Sequence, residues 1–122
     1  MITLDPRAAS QGAVAASPSR PATATIFDSA DARLVVFRIA PGQAVASHRS
    51  PSTVLLTVLR GSGVVSGADG ERSCAAGEVI VYGPDEVHGM RAVEEELHLL
   101  AVITPRPGER TRSPELHQVE AR

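Results

Sequence analysis

The chain is cut into short apolar segments at regular intervals, and that rhythm constrains its fold more than any other feature. Short segments, most of them carrying Val, Leu or Ile, occupy residues 24–28, 34–40, 43–48, 53–60, 64–66, 71–74, 78–82, 88–92 and 97–104. Segments this short and evenly spaced, bounded by Gly and Pro, predict an all-β sandwich or barrel. Pro41-Gly42 and Gly83-Pro84-Asp85 each close one strand before the next begins. Asp69-Gly70, between 64–66 and 71–74, predicts a two-residue hairpin of type I′, because both residues tolerate positive φ. No internal segment has the apolar period of a helix.

With 122 residues the chain has room for one domain around one hydrophobic core. Residues 1–23, rich in Ala, Ser and Pro, show neither helical nor strand period and read as an arm that drapes over or frays from a domain at 24–105. The remainder, 106–122, is a polar tail in which 109–122 has some helical character, divided by Pro114. The run TVLLTVL at 53–59 is apolar on most of both faces, and LHLLAVI at 97–103 has the same character. A strand with one wet face alternates strictly, so both faces are expected to be covered, by a second sheet or by a partner subunit. A homodimer follows from the second alternative.

Charge and composition narrow the partners. All twelve basic residues are Arg, the formal net charge is −2, and no basic stripe is present, so the footprint needed against a phosphate backbone is missing. Phe27, Phe37 and Tyr82 are the whole aromatic complement, too few for base stacking on single strands. Nucleic acid is therefore excluded as a partner. No apolar run reaches the roughly 20 residues that span a bilayer, so no membrane association is expected. MITLDPRAAS lacks the charged and apolar regions of a secretory signal, and a cytoplasmic location is expected. Cys74 is the only cysteine, which excludes an intrachain disulfide and a thiolate zinc cluster. A bound metal would have to use His, carboxylate or hydroxyl ligands.

His48 ends one predicted strand and His88 opens another. On adjacent antiparallel strands with both rings inward, two imidazoles can share a divalent metal at about 2.0–2.1 Å each. The stretch PGQAVASHRSPSTVLLTVLRGSG, followed by AAGEVIVYGPDEVHGMRA and LHLLAVITP, resembles a single-domain bacterial cupin of the quercetin-dioxygenase-like type over residues 24–105. The first family motif is matched by Gly42, His48 and Gly61 at its intervals, and the second by Gly77 and His88. The resemblance implies a double-stranded β-helix, or jelly-roll barrel. It also implies a divalent transition metal in that barrel, with His48 and His88 as its ligands. Ser50 stands where the family has a second histidine and Val54 where it has a glutamate, so two of the four usual ligands remain. In the second motif Gly83 replaces Pro, Asp85 replaces Gly, and Ala92 replaces the closing Asn.

His98, in the last predicted strand, is a candidate for the gap in the ligand set. The alternative, that it faces outward, follows from the Arg or Glu that similar cupins carry there. His117 falls in the polar tail and is read as solvated. Strand alternation puts Val54, Leu56 and Val58 on one face and Met90 on the face of His88. With Ser50 and Tyr82, the residues Val54, Leu56 and Met90 are candidate lining for a small-molecule pocket, although core packing alone would also explain the apolar ones. Arg49 and Arg91 should point away from the adjacent histidines, 94–96 reads as a solvated turn, and Cys74 shows no activating environment.

Three functions are compatible with this reading. The first is a metal-dependent cupin enzyme, with isomerase or cyclase chemistry asking less of a reduced ligand set than dioxygenase chemistry. The second is a sensor or ligand-binding barrel in which the histidines hydrogen-bond a polar ligand. The third is a dimeric structural barrel. The framework of a pocket with fewer metal ligands favours a small-molecule-binding cupin, with no catalytic residue assigned.

Overall fold

The computed structural model describes residues 1–107, and in it the predicted segments become eight strands preceded by one short helix. The tail helix considered for 109–122 and His117 lie outside the described residues. The strands are β1 (Ala22–Asp28), β2 (Arg33–Ile39), β3 (Ala44–His48), β4 (Thr53–Gly67), β5 (Gly70–Ala75), β6 (Val79–Tyr82), β7 (His88–Arg91) and β8 (Leu97–Thr104). All pairings are antiparallel, in the order β1-β2-β8-β4-β7-β3, with β5 and β6 also paired to β4. The sheet curls on itself as a double-stranded β-helix, the cupin architecture expected from the sequence.

Strand β4 is the spine. Its first half pairs with β8 and β6, and its second half pairs with β5 and β7, so one strand serves both walls of the barrel. The sequence predicts two strands here, 53–60 and 64–66, because Gly61 and Gly63 read as breaks. The structure runs them together through a register shift between Val58 and Arg60. Gly61 sits there at φ +80°, and a Cβ on it would lie 1.8 Å from the Glu96 carbonyl oxygen. The glycine lets the strand change walls under the incoming end of β8.

The hairpin after β4 also differs from expectation. Gly67 pairs with Gly70, leaving Ala68 and Asp69 as the link. Gly70 has φ +110° while Asp69 is not in the positive-φ region, so no type I′ turn forms at 69–70. The strand pairing survives because Gly70 alone supplies the backbone freedom the turn requires.

Aliphatic side chains from both walls fill the interior. Val54, Leu56 and Val58 of β4 meet Leu97, Leu99, Ala101 and Ile103 of β8, with Phe37 and Ile39 of β2 closing one end. The 3.6-period signal missing from the N-terminal arm hides a helix, α1 (Pro6–Gly12), too short to show a period. Asp5 caps it, accepting the Ala8 amide at 3.1 Å, and Pro6 occupies its first turn. That Asp-Pro pair is the signal a sequence reading could have used. Helix α1 lies on the outer face of the β1, β2 and β8 wall, so the second face of this sheet is covered in part by the chain itself. Among the described residues, no helix is long and apolar enough to cross a membrane.

Candidate functional site

His48 and His88 are register partners on β3 and β7. The register shifts between them and the next pair: Val45 faces Met90 and His48 faces His88, so β3 spends one residue more than β7 over the interval. In a regular strand, side chains three apart point to opposite faces. The bulge brings His48 round to the side of His88, and the ring centroids lie 4.2 Å apart at an interplanar angle of 62°. His88 is buried and His48 is half-buried, so the pair spans the interior and the mouth of the barrel.

Both rings are oriented by the backbone. His48 Nδ1 donates to the Ala46 carbonyl at 3.0 Å, and His88 Nδ1 donates to the Glu86 carbonyl at 3.1 Å. A carbonyl oxygen only accepts, so each Nδ1 bears a proton, and the neutral form of each ring has its lone pair on Nε2. This is the tautomer in which a metal-binding or hydrogen-bond-accepting imidazole is held by its surroundings. Among the described residues, however, no group of three or more His, Cys, Asp or Glu side chains could hold a metal ion. The donor set that the described residues offer is thus two imidazoles, and an ion held there would take its other ligands from water and from a bound molecule.

Tyr82 packs on the inner ring, its centroid 4.8 Å from that of His88. Its hydroxyl donates to the Ser66 carbonyl at 2.8 Å. Burial first, and then the nearby Glu86 carboxylate, push its pKa up to about 12, so the phenol stays protonated and committed to Ser66. Ser50 is buried, its Oγ accepting the Ser52 amide at 3.2 Å. Val54, Leu56 and Met90 are buried in the aliphatic core. The structure thus gathers Tyr82 around His88 and places the apolar candidates in packing behind it.

An open groove lies in front of His48. Its volume is about 690 Å³, and it runs between β3 (Ala44 to His48), Thr23 of β1, Phe37 of β2 and the arm residues Val14, Ala16, Arg20 and Pro21. Phe37 falls in segment 34–40, which the sequence marks as a strand without assigning the side on which Phe37 lies. The arm residues carry no sequence signal, since their place depends on how residues 13–21 return along the open side of the barrel.

The two motif segments are clasped at Asp85, which stands where the family motif has Gly. Asp85 has φ +64°, the only positive φ at a residue other than Gly among those described. Its amide donates to the Ser50 carbonyl at 2.7 Å, and Arg49 Nη1 donates to its carbonyl at 2.7 Å. Gly42 (+86°) and Gly77 (+97°), the opening glycines of the two motifs, also have positive φ.

His98 lies outside the barrel. It alternates with the inward Leu97 and Leu99, yet it is only 1% exposed, because α1 covers it. Its Nδ1 meets Ser10 Oγ at 2.8 Å and its Nε2 meets Glu96 Oε1 at 3.0 Å. Both ring nitrogens are engaged there, so His98 anchors the helix and does not complete the His48–His88 pair. Glu96, expected in a solvated turn, is part of that anchor. Arg91 points outward to Glu71 at 3.1 Å, and burial pushes the Cys74 thiol up, which agrees with an inert cysteine.

The cupin domain family model matches residues 35–103, more than half of the chain. Three solved structures are similar over most of their length. An uncharacterized conserved protein with a double-stranded β-helix domain from Klebsiella pneumoniae is 26% identical, with a TM-score of 0.71 and coverage of 78% of this chain and 85% of that one. TT1209 from Thermus thermophilus is 26% identical, with a TM-score of 0.72 and coverage of 80% and 94%. An RmlC-like cupin protein from Desulfovibrio desulfuricans is 27% identical, with a TM-score of 0.68 and coverage of 77% and 91%. No curated protein matches the chain.

Proposed function

The chain belongs to the cupin domain family, and from that premise we propose that it binds a small organic ligand at the barrel mouth, where His48 and His88 form the polar end of the site. The observation that carries this reading is the bulge in β3, which turns His48 onto His88 while two backbone carbonyls fix both rings with the lone pair on Nε2. A groove of about 690 Å³ opens at His48, within the usual size range for small-molecule sites.

The same tautomers support a second part of the reading: the pair holds a divalent transition metal ion. When bound, such an ion supplies Lewis-acid polarisation of a ligand oxygen. The protein's own share is to hold the two rings, to stack Tyr82 behind His88, and to keep water from the inner side with the aliphatic core. Val54 contributes no ligand and Ser50 is engaged in its own turn, so ring-cleaving dioxygenase chemistry is less well supported than binding or Lewis-acid chemistry.

Elemental analysis of untagged protein after reconstitution with zinc, nickel or manganese tests the metal. Wild type should carry about one equivalent, and His48→Ala or His88→Ala less than about a tenth, because a single imidazole is a weak site. Wild type below about a tenth of an equivalent would overturn metal binding.

A further inference from the structure

The groove at His48 carries an uneven set of side chains. Seven of its lining residues are Val, Ala, Pro or Phe, three offer a hydroxyl or imidazole, and one, Arg20, is charged. Most of the described arginines already have acceptors. Arg33 and Arg106 pair with Asp28, Arg72 with Asp69, and Arg91 with Glu71, while Arg38, Arg49 and Arg60 bond to Gln11 or to the Asp85 carbonyl. The guanidinium of Arg20 has no acceptor among the described residues, a state shared only by Arg7 in the recess beside His98.

A lone cation in the lining of a largely apolar groove selects by charge. An amine would meet like charge, and a neutral ligand would leave the guanidinium to water. A carboxylate can take two parallel N–H···O bonds from it. A dianionic phosphate would bring a second charge that the groove does not neutralise. The hydrocarbon-lined walls, with Phe37 as their single aromatic ring, favour an aliphatic body over a large planar one.

We propose that the groove is the site of a small aliphatic carboxylate, with its carboxylate on Arg20, its hydrocarbon body against Phe37, Pro21 and Val45, and its inner end at His48. This rests on the reading of the barrel mouth as the ligand site and adds the class of ligand and a residue that selects it.

The test uses the full chain stripped of metal with a chelator and titrated with hexanoate, hexanol and hexylamine, followed by backbone amide and imidazole resonances. Hexanoate should bind about fivefold tighter than hexanol, with shifts at Phe37 and His48, and hexylamine should bind weakest. Arg20→Gln should lower hexanoate to the level of hexanol and leave hexanol unchanged. Equal binding of hexanoate and hexanol, or a preference that survives Arg20→Gln, overturns the assignment. Hexanoate binding that appears only after zinc is added also overturns it, since the carboxylate would then be recognised at the histidines, while the barrel-mouth reading stands. Failure of all three probes to move mouth resonances, with or without zinc, overturns the barrel-mouth reading itself.

Discussion

At the scale of single residues, the site depends on side chains whose partners are fixed by the backbone. Tyr82 is the only tyrosine in a chain without Trp, so alkaline absorbance reads it alone. Its midpoint should fall at about 12 rather than at the ordinary value of 10.0. Because the folded state holds this proton more tightly than the unfolded chain does, stability should be complete below the ordinary value and decline as pH rises through the folded one. A midpoint at the ordinary value would show that Tyr82 is not buried beside Glu86 as described. Asp85 holds the left-handed conformation at a turn where the family motif has Gly. Asp85→Gly should be neutral or stabilising in urea denaturation, and Asp85→Ala should cost about 1 kcal/mol. The histidine pair was legible in the sequence because the intervals to Gly42, Gly61 and Gly77 survive. The rotation of His48 was not, since alternation from Val45 points it the wrong way and a bulge leaves no mark in a string of small residues.

Elements explain why some of the fold was hidden. The strand rhythm announces the barrel, but glycine has two meanings in it. At Gly42 it is a turn, and at Gly61 it is a passage within a strand, made necessary by the Glu96 carbonyl oxygen at 1.8 Å from where a Cβ would sit. Only the neighbouring strand distinguishes the two cases, and Gly61's partner on it, Leu97, is 36 residues away in the sequence. Gly61→Ala should therefore destabilise by at least about 3 kcal/mol. A loss below about 1 kcal/mol would mean that β4 does not bend there. Helix α1 was missed for a related reason: seven residues show no period, and what holds them is long-range, the bond from Ser10 to His98 together with those from Arg38 and Arg60 to Gln11. Ser10→Ala should cost about 1 kcal/mol and speed amide exchange within α1, leaving exchange in β3 and β7 unchanged. Uniformly faster exchange would deny the helix this local anchor.

For the whole molecule, coverage of the outer sheet face is incomplete. Helix α1 buries His98 and Val36, but Leu55, Leu100 and Val102 remain half-buried, and Val79 and Val81 are 56% and 61% exposed. That surface supports the homodimer proposed from the apolar runs at 53–59 and 97–103. Sedimentation at micromolar concentration should give about twice the chain mass of 12.7 kDa, and Val81→Glu should return it to the monomer. A monomeric wild type would refute the dimer. The barrel itself leaves few polar groups on its inner side, so the proposed chemistry concentrates on His48 and His88, with Arg20 in the lining of the same groove. The most direct test of that account is a long-range nitrogen–proton correlation spectrum of the imidazoles, recorded before and during a zinc titration. The account predicts His48 and His88 as Nδ1–H tautomers whose Nε2 resonances move together with zinc while that of His98 stays in place. Movement of His98, or no response from the pair, would contradict it.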